Sequence, residues 1–248
     1  MNMFRAAAAM LLFLAPGAAL ADPVTFTTTG SSATYGASGN ALTFGAAGST
    51  LKLKVTGWQL NQATGAMTEA YLGGYAGGLG VTGAGDLLGF NNLHQIDNLG
   101  GFTDLVLLQF NRPVPLAGIG GTLYQLPGIT GLHGDFAVAS AGAFTPMAWN
   151  GSVDLTGARG AGFAWTEVTG PTAAGSKAVV TTGGSQLWLL SASQLSRNLN
   201  DGFKLAAVTV NEAPAVPEPA TWAMLILGVG CVGYAQRRRP QARRLGAA

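Results

Sequence analysis

LKLKVTGW, Leu51 to Trp58, and TDLVLLQF, Thr103 to Phe110, decide the fold class. The first alternates Leu, Leu, Val and Gly with Lys, Lys, Thr and Trp, the period-two pattern of a half-buried strand. The second is apolar on both faces and ends at Asn111-Arg112-Pro113, where proline removes a ladder donor. It predicts a central strand covered on both sides. Phe136–Ala141, Gly162–Val168, Lys177–Thr182, Gln186–Ser191 and Phe203–Asn211 are further short strand candidates, punctuated by Gly, Pro, Asn and Ser. No stretch of the body sustains a capped 3.6-residue apolar period, and no fixed repeat suggests a solenoid. The expectation is all-β: an antiparallel β-sandwich or jelly-roll-like body, flanked by an N-terminal signal helix and a C-terminal apolar helix.

The N-terminus, MNMFRAAAAMLLFLAPGAALADPVTF, carries one charge at Arg5, an apolar stretch from Ala6 to Leu14, and a break at Pro16-Gly17. Ala19 and Ala21 fit an A-x-A cleavage site before Asp22, the build of a secretory signal peptide removed by signal peptidase. The apolar stretch is too short to span a bilayer comfortably.

Removing the terminal segments changes the charge balance. Arg5 and the arginines at 237, 238, 239, 243 and 244 lie outside residues 22–216, which retain seven basic against ten acidic residues. The basic sequence pI of about 8.9 therefore describes the tail. A weakly acidic body without a basic run argues against nucleic acid as a partner. The single cysteine, Cys231, lies in the C-terminal apolar run, so the body must be held by a core instead of disulfides.

Gly78-Leu79-Gly80-Val81-Thr82-Gly83 matches G-x-G-x-x-G, but no helical period follows to hold a pyrophosphate, and it is read as a glycine-rich turn. His94 and His133 could be paired with Asp97, Asp104 or Asp135, yet no metal-ligand spacing or nucleophile elbow supports them. They are read as structural. No catalytic, cofactor-binding or metal-ligating set is expected. A glycosidase-like pair from distant strands, among Glu69, Asp97, Asp104, Asp135, Glu167 and Asp201, is the enzymatic alternative. Trp58, Trp149, Trp165, Trp188, Tyr71, Tyr75 and Tyr124 could stack on sugars if exposed. Trp188, inside Leu187-Trp188-Leu189-Leu190, is assigned to the core. Asn150-Gly151-Ser152 is a glycosylation acceptor pattern of low specificity.

At the other end, Val216-Pro217-Glu218-Pro219 precedes an apolar run from Ala220 to Ala235 and the arginines Arg237-Arg238-Arg239. This order resembles the PEP-CTERM sorting signal of exported proteins from exopolysaccharide-producing Gram-negative bacteria. The resemblance implies an exosortase as processing partner, a transient inner-membrane stage, and a cell-surface or matrix destination. Trp222 to Ala235 would form about 21 Å of helix, short of a ~30 Å hydrocarbon core. The chain thus divides into a signal peptide (1–21), a β-sandwich surface domain (22–212), and a Pro-rich linker with the PEP motif (213–219). A sorting or transmembrane segment with the Arg cluster (220–239) and a basic tail (240–248) follow.

The body also resembles a family of exosortase-dependent surface proteins. Ala70-Tyr71-Leu72, Tyr75 to Thr82, His94-Gln95-Ile96-Asp97-Asn98, Asp104 to Phe110 and Asn200 to Leu205 carry the likeness. It departs at Gly89 to Leu93 and between Pro113 and Gly134, where acidic residues are thin, so no ion site is carried over from it. The expected function is a non-enzymatic surface or exopolysaccharide-matrix protein with a structural or adhesive role. A secreted glycan-binding module or carbohydrate-active enzyme is the alternative.

Overall fold

The computed structural model describes residues 22–30, 34–35, 41–83, 86, 94–123, 133–142, 144, 149, 151–169, 175–179, 181, 183–194, 200–212 and 219–237. Ala21–Ala213 form one compact unit, and Met1–Leu20 with Pro214–Ala248 are grouped as a second. In the first unit, β1 (Asp22–Thr27), β2 (Thr34–Tyr35), β3 (Ala41–Gly45), β4 (Lys52–Asn61) and β5 (Met67–Glu69) come first. Next are β6 (Tyr71–Tyr75), β7 (Gly78–Thr82), β8 (Ile96–Asp97), β9 (Phe102–Val114) and β10 (Leu116–Thr122). β11 (Phe136–Ser140), β12 (Thr166–Val168), β13 (Gly175–Ala178), β14 (Ser185–Ala192) and β15 (Gly202–Glu212) complete the body.

The strands form two antiparallel sheets, as the strand patterns predict. One runs β12-β11-β14-β9-β4-β3-β2, with β5 also on β4. The other runs β13-β10-β15-β7-β6, with β1 and β8 also on β15. The central placement expected of Thr103 to Phe110 is met by β9, between β14 and β4. Its alternation divides two cores. Val106, Leu108 and Phe110 join a large cluster with Phe26, Phe136 and Phe203 of both sheets. Leu105 and Leu107 join a smaller cluster with Trp58, Val153, Leu155 and Leu189.

That second cluster corrects the reading of Leu51 to Trp58. The strand is covered on both faces, because the 151–165 segment supplies Val153 and Leu155 over the side expected to meet solvent. Lys54 is only 7% exposed, and its Nζ donates to the Gly151 carbonyl at 2.9 Å and lies 5.9 Å from the Trp149 ring centroid. Its aliphatic stem shares the burial while its charge is solvated by a carbonyl and a π face. A second correction concerns Pro113, which does not end β9. The β4 ladder stops at Leu53↔Phe110, so the missing proline N–H falls where that neighbour has already left.

A third correction is the Gly78–Gly83 stretch, which is mostly the buried strand β7 and not a turn. Gly80 is needed there because a Cβ would collide with the His94 carbonyl oxygen. Of the other candidates, Gly162–Val168 shrinks to β12 after a short 3₁₀ turn at Gly160–Gly162, and Lys177–Thr182 shifts to β13.

In the second unit α1 (Pro219–Arg237) is the described element. Proline at its first position suits a helix start, where an N–H has no intrahelical partner. Residues 225–234 are all exposed, including Leu225, Ile226, Leu227, Val229 and Val232. The expected transmembrane helix is not found: among the described residues, no helix is long and apolar enough to cross a membrane. Nineteen residues reach only about 28 Å, and glycines at 228, 230 and 233 dilute the apolar run. The proposed signal helix and its cleavage residues Ala19 and Ala21 lie outside the described residues, whereas Asp22 opens β1.

Candidate functional site

β15 sets the geometry of the body. At one end Asp22 pairs with Glu212, so the first and last strands of the sandwich leave side by side. At the other end Gly202 pairs with Asp97 and Phe203 with Ile96. Eleven strand residues separate these ends by roughly 30 Å. Most of the body's buried polar side chains gather at the Gly202 end.

Gln59 and Asp104 are a cross-strand pair of β4 and β9 that faces the inter-sheet core. The Gln59 Nε2 donates to Asp104 Oδ1 at 3.4 Å, and the Asp97 backbone N–H also reaches the Asp104 carboxyl. The Leu99 N–H donates to Asp97 Oδ1 at 3.1 Å, while Asp97 Oδ2 is buried with no hydrogen-bond partner. Asp86 is half-buried and accepts the Gly83 N–H at 2.6 Å. Gly83 lets the Gln59 amide approach, since a Cβ there would occupy that group's space. The fold thus brings carboxyl oxygens of Asp86, Asp97 and Asp104 within 4.8 Å of one another. Two unit negative charges so placed repel by about 3 kcal/mol at an effective dielectric of ~20. Among the described residues, neither a Lys nor an Arg pairs with any of the three.

The electrostatics follow from this crowding. Burial, assisted by the Asp86 charge, pushes the Asp97 carboxyl up to about 7. Burial and then the charges of Asp97 and Asp86 raise Asp104 well above the usual carboxylate range. Asp86 is raised by burial, against the opposing effects of the Gly83 N–H and His94. His94 is fixed beside the set: its Nδ1 lies 3.0 Å from Thr82 Oγ1, and its ring stacks on Tyr75 at 5.1 Å between centroids. Lys204 Nζ sits 4.1 Å from the centroid of the same tyrosine ring.

A second buried network adjoins the first. Asn98 Nδ2 donates to Asp201 Oδ2 at 3.3 Å and to the Ser193 carbonyl at 3.2 Å, and its Oδ1 accepts the Asp201 N–H at 3.0 Å. The Asp135 N–H donates to Asp201 Oδ1 at 3.3 Å, and Lys177 Nζ pairs with Asp135 at 3.2 Å. Burial first, and then the Asp135 carboxylate, pushes Asp201 up to about 6. Glu167 accepts from Ser193 Oγ at 3.0 Å and from the Gln194 N–H at 2.8 Å. These bonds read as a structural brace joining the two sheets.

Beside the brace opens a cleft of about 360 Å³, lined by Gln62, Asn98, Thr103, Trp165 and Gln194 among others. Trp165 is half-buried, with its Nε1 donating to the Gly160 carbonyl at 2.9 Å. Trp58 and Trp188 are buried, the latter as its apolar neighbours suggest, with Nε1 donating to the Val114 carbonyl at 2.9 Å. Tyr71 is 49% exposed. Glu69 is exposed on β5, and the His133 side chain is exposed while its backbone bridges to Asp201. Tyr124 and Asn150 lie outside the described residues.

The sequence offers Asp97, Asp104 and Asp135 as partners of His94 or His133, and these three with Asp201, Glu69 and Glu167 as members of a distant carboxyl pair; it does not single out Asp86, Gln59 or Asn98 as site residues. The legible signal was polarity on the wrong face: Gln59 and Asp104 share a strand face with Leu53, Val55, Val106, Leu108 and Phe110. Asp86 carried no such signal, because it follows β7 outside any strand pattern and meets its partners only through the pairing of β8 with β15 and of β9 with β4.

The raised carboxyls fix the sign of the pH response. Unfolded Asp titrates near ~3.9, so the folded body binds protons more tightly than the unfolded chain. The stabilisation from protonation is complete below about pH 4 and is lost as pH rises through about 6 for Asp201 and about 7 for Asp97. In chelator-containing buffer the melting temperature should be higher at pH 5 than at pH 8. A melting temperature that rises steadily between those values would contradict the burial of these groups.

Comparison with known proteins locates one family. Residues 215–239 match the model of the PEP-CTERM protein-sorting motif, and the β-body lies outside that match. No curated protein and no solved structure matches the chain. Val216, Pro217 and Glu218, together with Arg238 and Arg239, fall outside the described residues, while Pro219 opens α1 and Arg237 closes it. Every expected element of the signal falls inside the matched segment, so the chain carries a PEP-CTERM protein-sorting motif, which indicates exosortase-dependent export.

Proposed function

We propose that residues 22–212 are displayed at the cell surface, or released into the exopolysaccharide matrix, as a structural or adhesive domain without catalytic activity. The sorting motif is the observation that carries this reading. In it, signal peptidase cuts before Asp22 after passage through the inner membrane of a Gram-negative cell. The exposed apolar side chains of α1 hold the chain at the membrane until exosortase acts. The pairing of Asp22 with Glu212 suits this sequence, since both cuts fall near one end of the sandwich and leave its hydrogen-bonded edge intact.

The site favours a non-catalytic role. A glycosidase needs two carboxyls flanking an open sugar site, about 5 Å apart in retaining enzymes. Asp97 and Asp104 are close enough but each only 2% exposed, and neither lines the cleft. Glycan contact is the second reading, favoured by Trp165 among amide side chains in that cleft. An aromatic face with adjacent hydrogen-bonding groups is a common way to hold a sugar ring.

Mass spectrometry of the surface form tests the sorting reading. The expected product begins at Asp22 and lacks Arg237–Ala248; an intact tail on surface-exposed protein would sink the proposal. For the second reading, a glycan array should show binding that falls at least tenfold in Trp165→Ala. Binding unaffected by that change, or no binding by the parent protein, rules out the cleft as a sugar site.

A further inference from the structure

We propose that Asp86, Asp97 and Asp104 form a binding site for a hard divalent cation of the calcium type. Three carboxyls within 4.8 Å of one another are the starting point, but proximity alone does not make a site. The independent observation is Asp97 Oδ2, an oxygen of a side chain 2% exposed that has no hydrogen-bond partner and belongs to the carboxyl facing the other two. A buried acceptor without a donor is costly. The charged groups that the described residues bring within 4.8 Å of the Asp97 carboxyl are the half-buried Asp86 and the buried Asp104, and both repel it. A cation is the group that relieves both problems together.

The donor set selects the kind of cation. Every candidate ligand is oxygen: three carboxyls, with the Gln59 amide beside Asp104 and Gly83 as a neutral group at the edge. The His94 imidazole is not part of the carboxyl group, and its Nδ1 is engaged with Thr82 Oγ1. The only thiol in the chain, Cys231, lies in α1 and not in the body. All-oxygen sets of irregular geometry suit calcium and not zinc or copper. Extracellular calcium modules work at 10⁻⁴–10⁻³ M, within reach of a site on an exported domain. The site also has a structural use. Asp97 is on β8 and Asp104 on β9, while Asp86 follows β7. A cation there would tie the ends of both sheets together, without depending on the surface role proposed above.

The test uses the full-length chain in detergent micelles, stripped with chelator and then titrated with Ca²⁺ alone. Calorimetry should show one saturable site per chain. At a hundredfold excess over Kd the melting temperature should rise by roughly 5–10 °C. Asp104→Asn keeps the side-chain shape and removes one charge. It should be at least as stable as the parent in chelator and show no Ca²⁺ response. Asp86→Asn, at the half-buried margin of the set, should lose the response with little packing change, and it serves if Asp104→Asn does not fold. Absence of a heat or a melting shift in the parent overturns the site, as does a shift matched by NaCl at equal ionic strength. A Ca²⁺ response retained in both variants does the same.

Discussion

β15 is the strand on which the rest of the body depends. One of its edges pairs with β10 along most of its length. The other is shared in succession by β1 at residues 207–212, β7 at Leu205, and β8 at residues 202–203. A strand hydrogen-bonded on both edges cannot slip without turning its buried side chains outward. Phe203, Leu205, Val208 and Val210 are each 1% exposed or less. One register therefore fixes both ends of the domain: its first and last strands at Asp22 and Glu212, and the buried acidic groups near Gly202.

The sorting segment holds the helix α1, whose described side chains are exposed. The sandwich completes its ladder at Asp22 and Glu212, with Arg112 of β9 pairing with Glu212 to tie the second sheet to that end. The acidic set lies roughly 30 Å away along the strand.

Much of the sheet architecture was legible in the chain because Leu105–Leu108 of β9 and Leu187–Leu190 of β14 are unbroken apolar runs, a pattern that a strand covered on both faces needs. β6 and β7 were hidden by glycine, whose missing side chain leaves no period to read; Gly80 is there because a carbonyl comes too close for any Cβ. The Leu51 to Trp58 pattern misled for the opposite reason. Lys54 and Thr56 do face away from the main core, but a later segment folds over them, and covering by a distant loop leaves no mark on the strand itself. The acidic set was invisible for a topological reason. Asp86, Asp97 and Asp104 lie within one stretch of sequence, yet only the pairing of β8 with β15 and of β9 with β4 turns them toward a common point.

The sandwich between Asp22 and Glu212 is complete in itself, with both terminal segments dispensable to its fold. Urea denaturation of residues 22–212 expressed alone, set beside the full-length chain, tests this most directly. A single cooperative transition with the same midpoint and slope is expected, because every ladder of β15 lies inside that span. A fragment that is unfolded, or whose midpoint drops markedly, would show that the terminal segments are part of the structure and contradict the account.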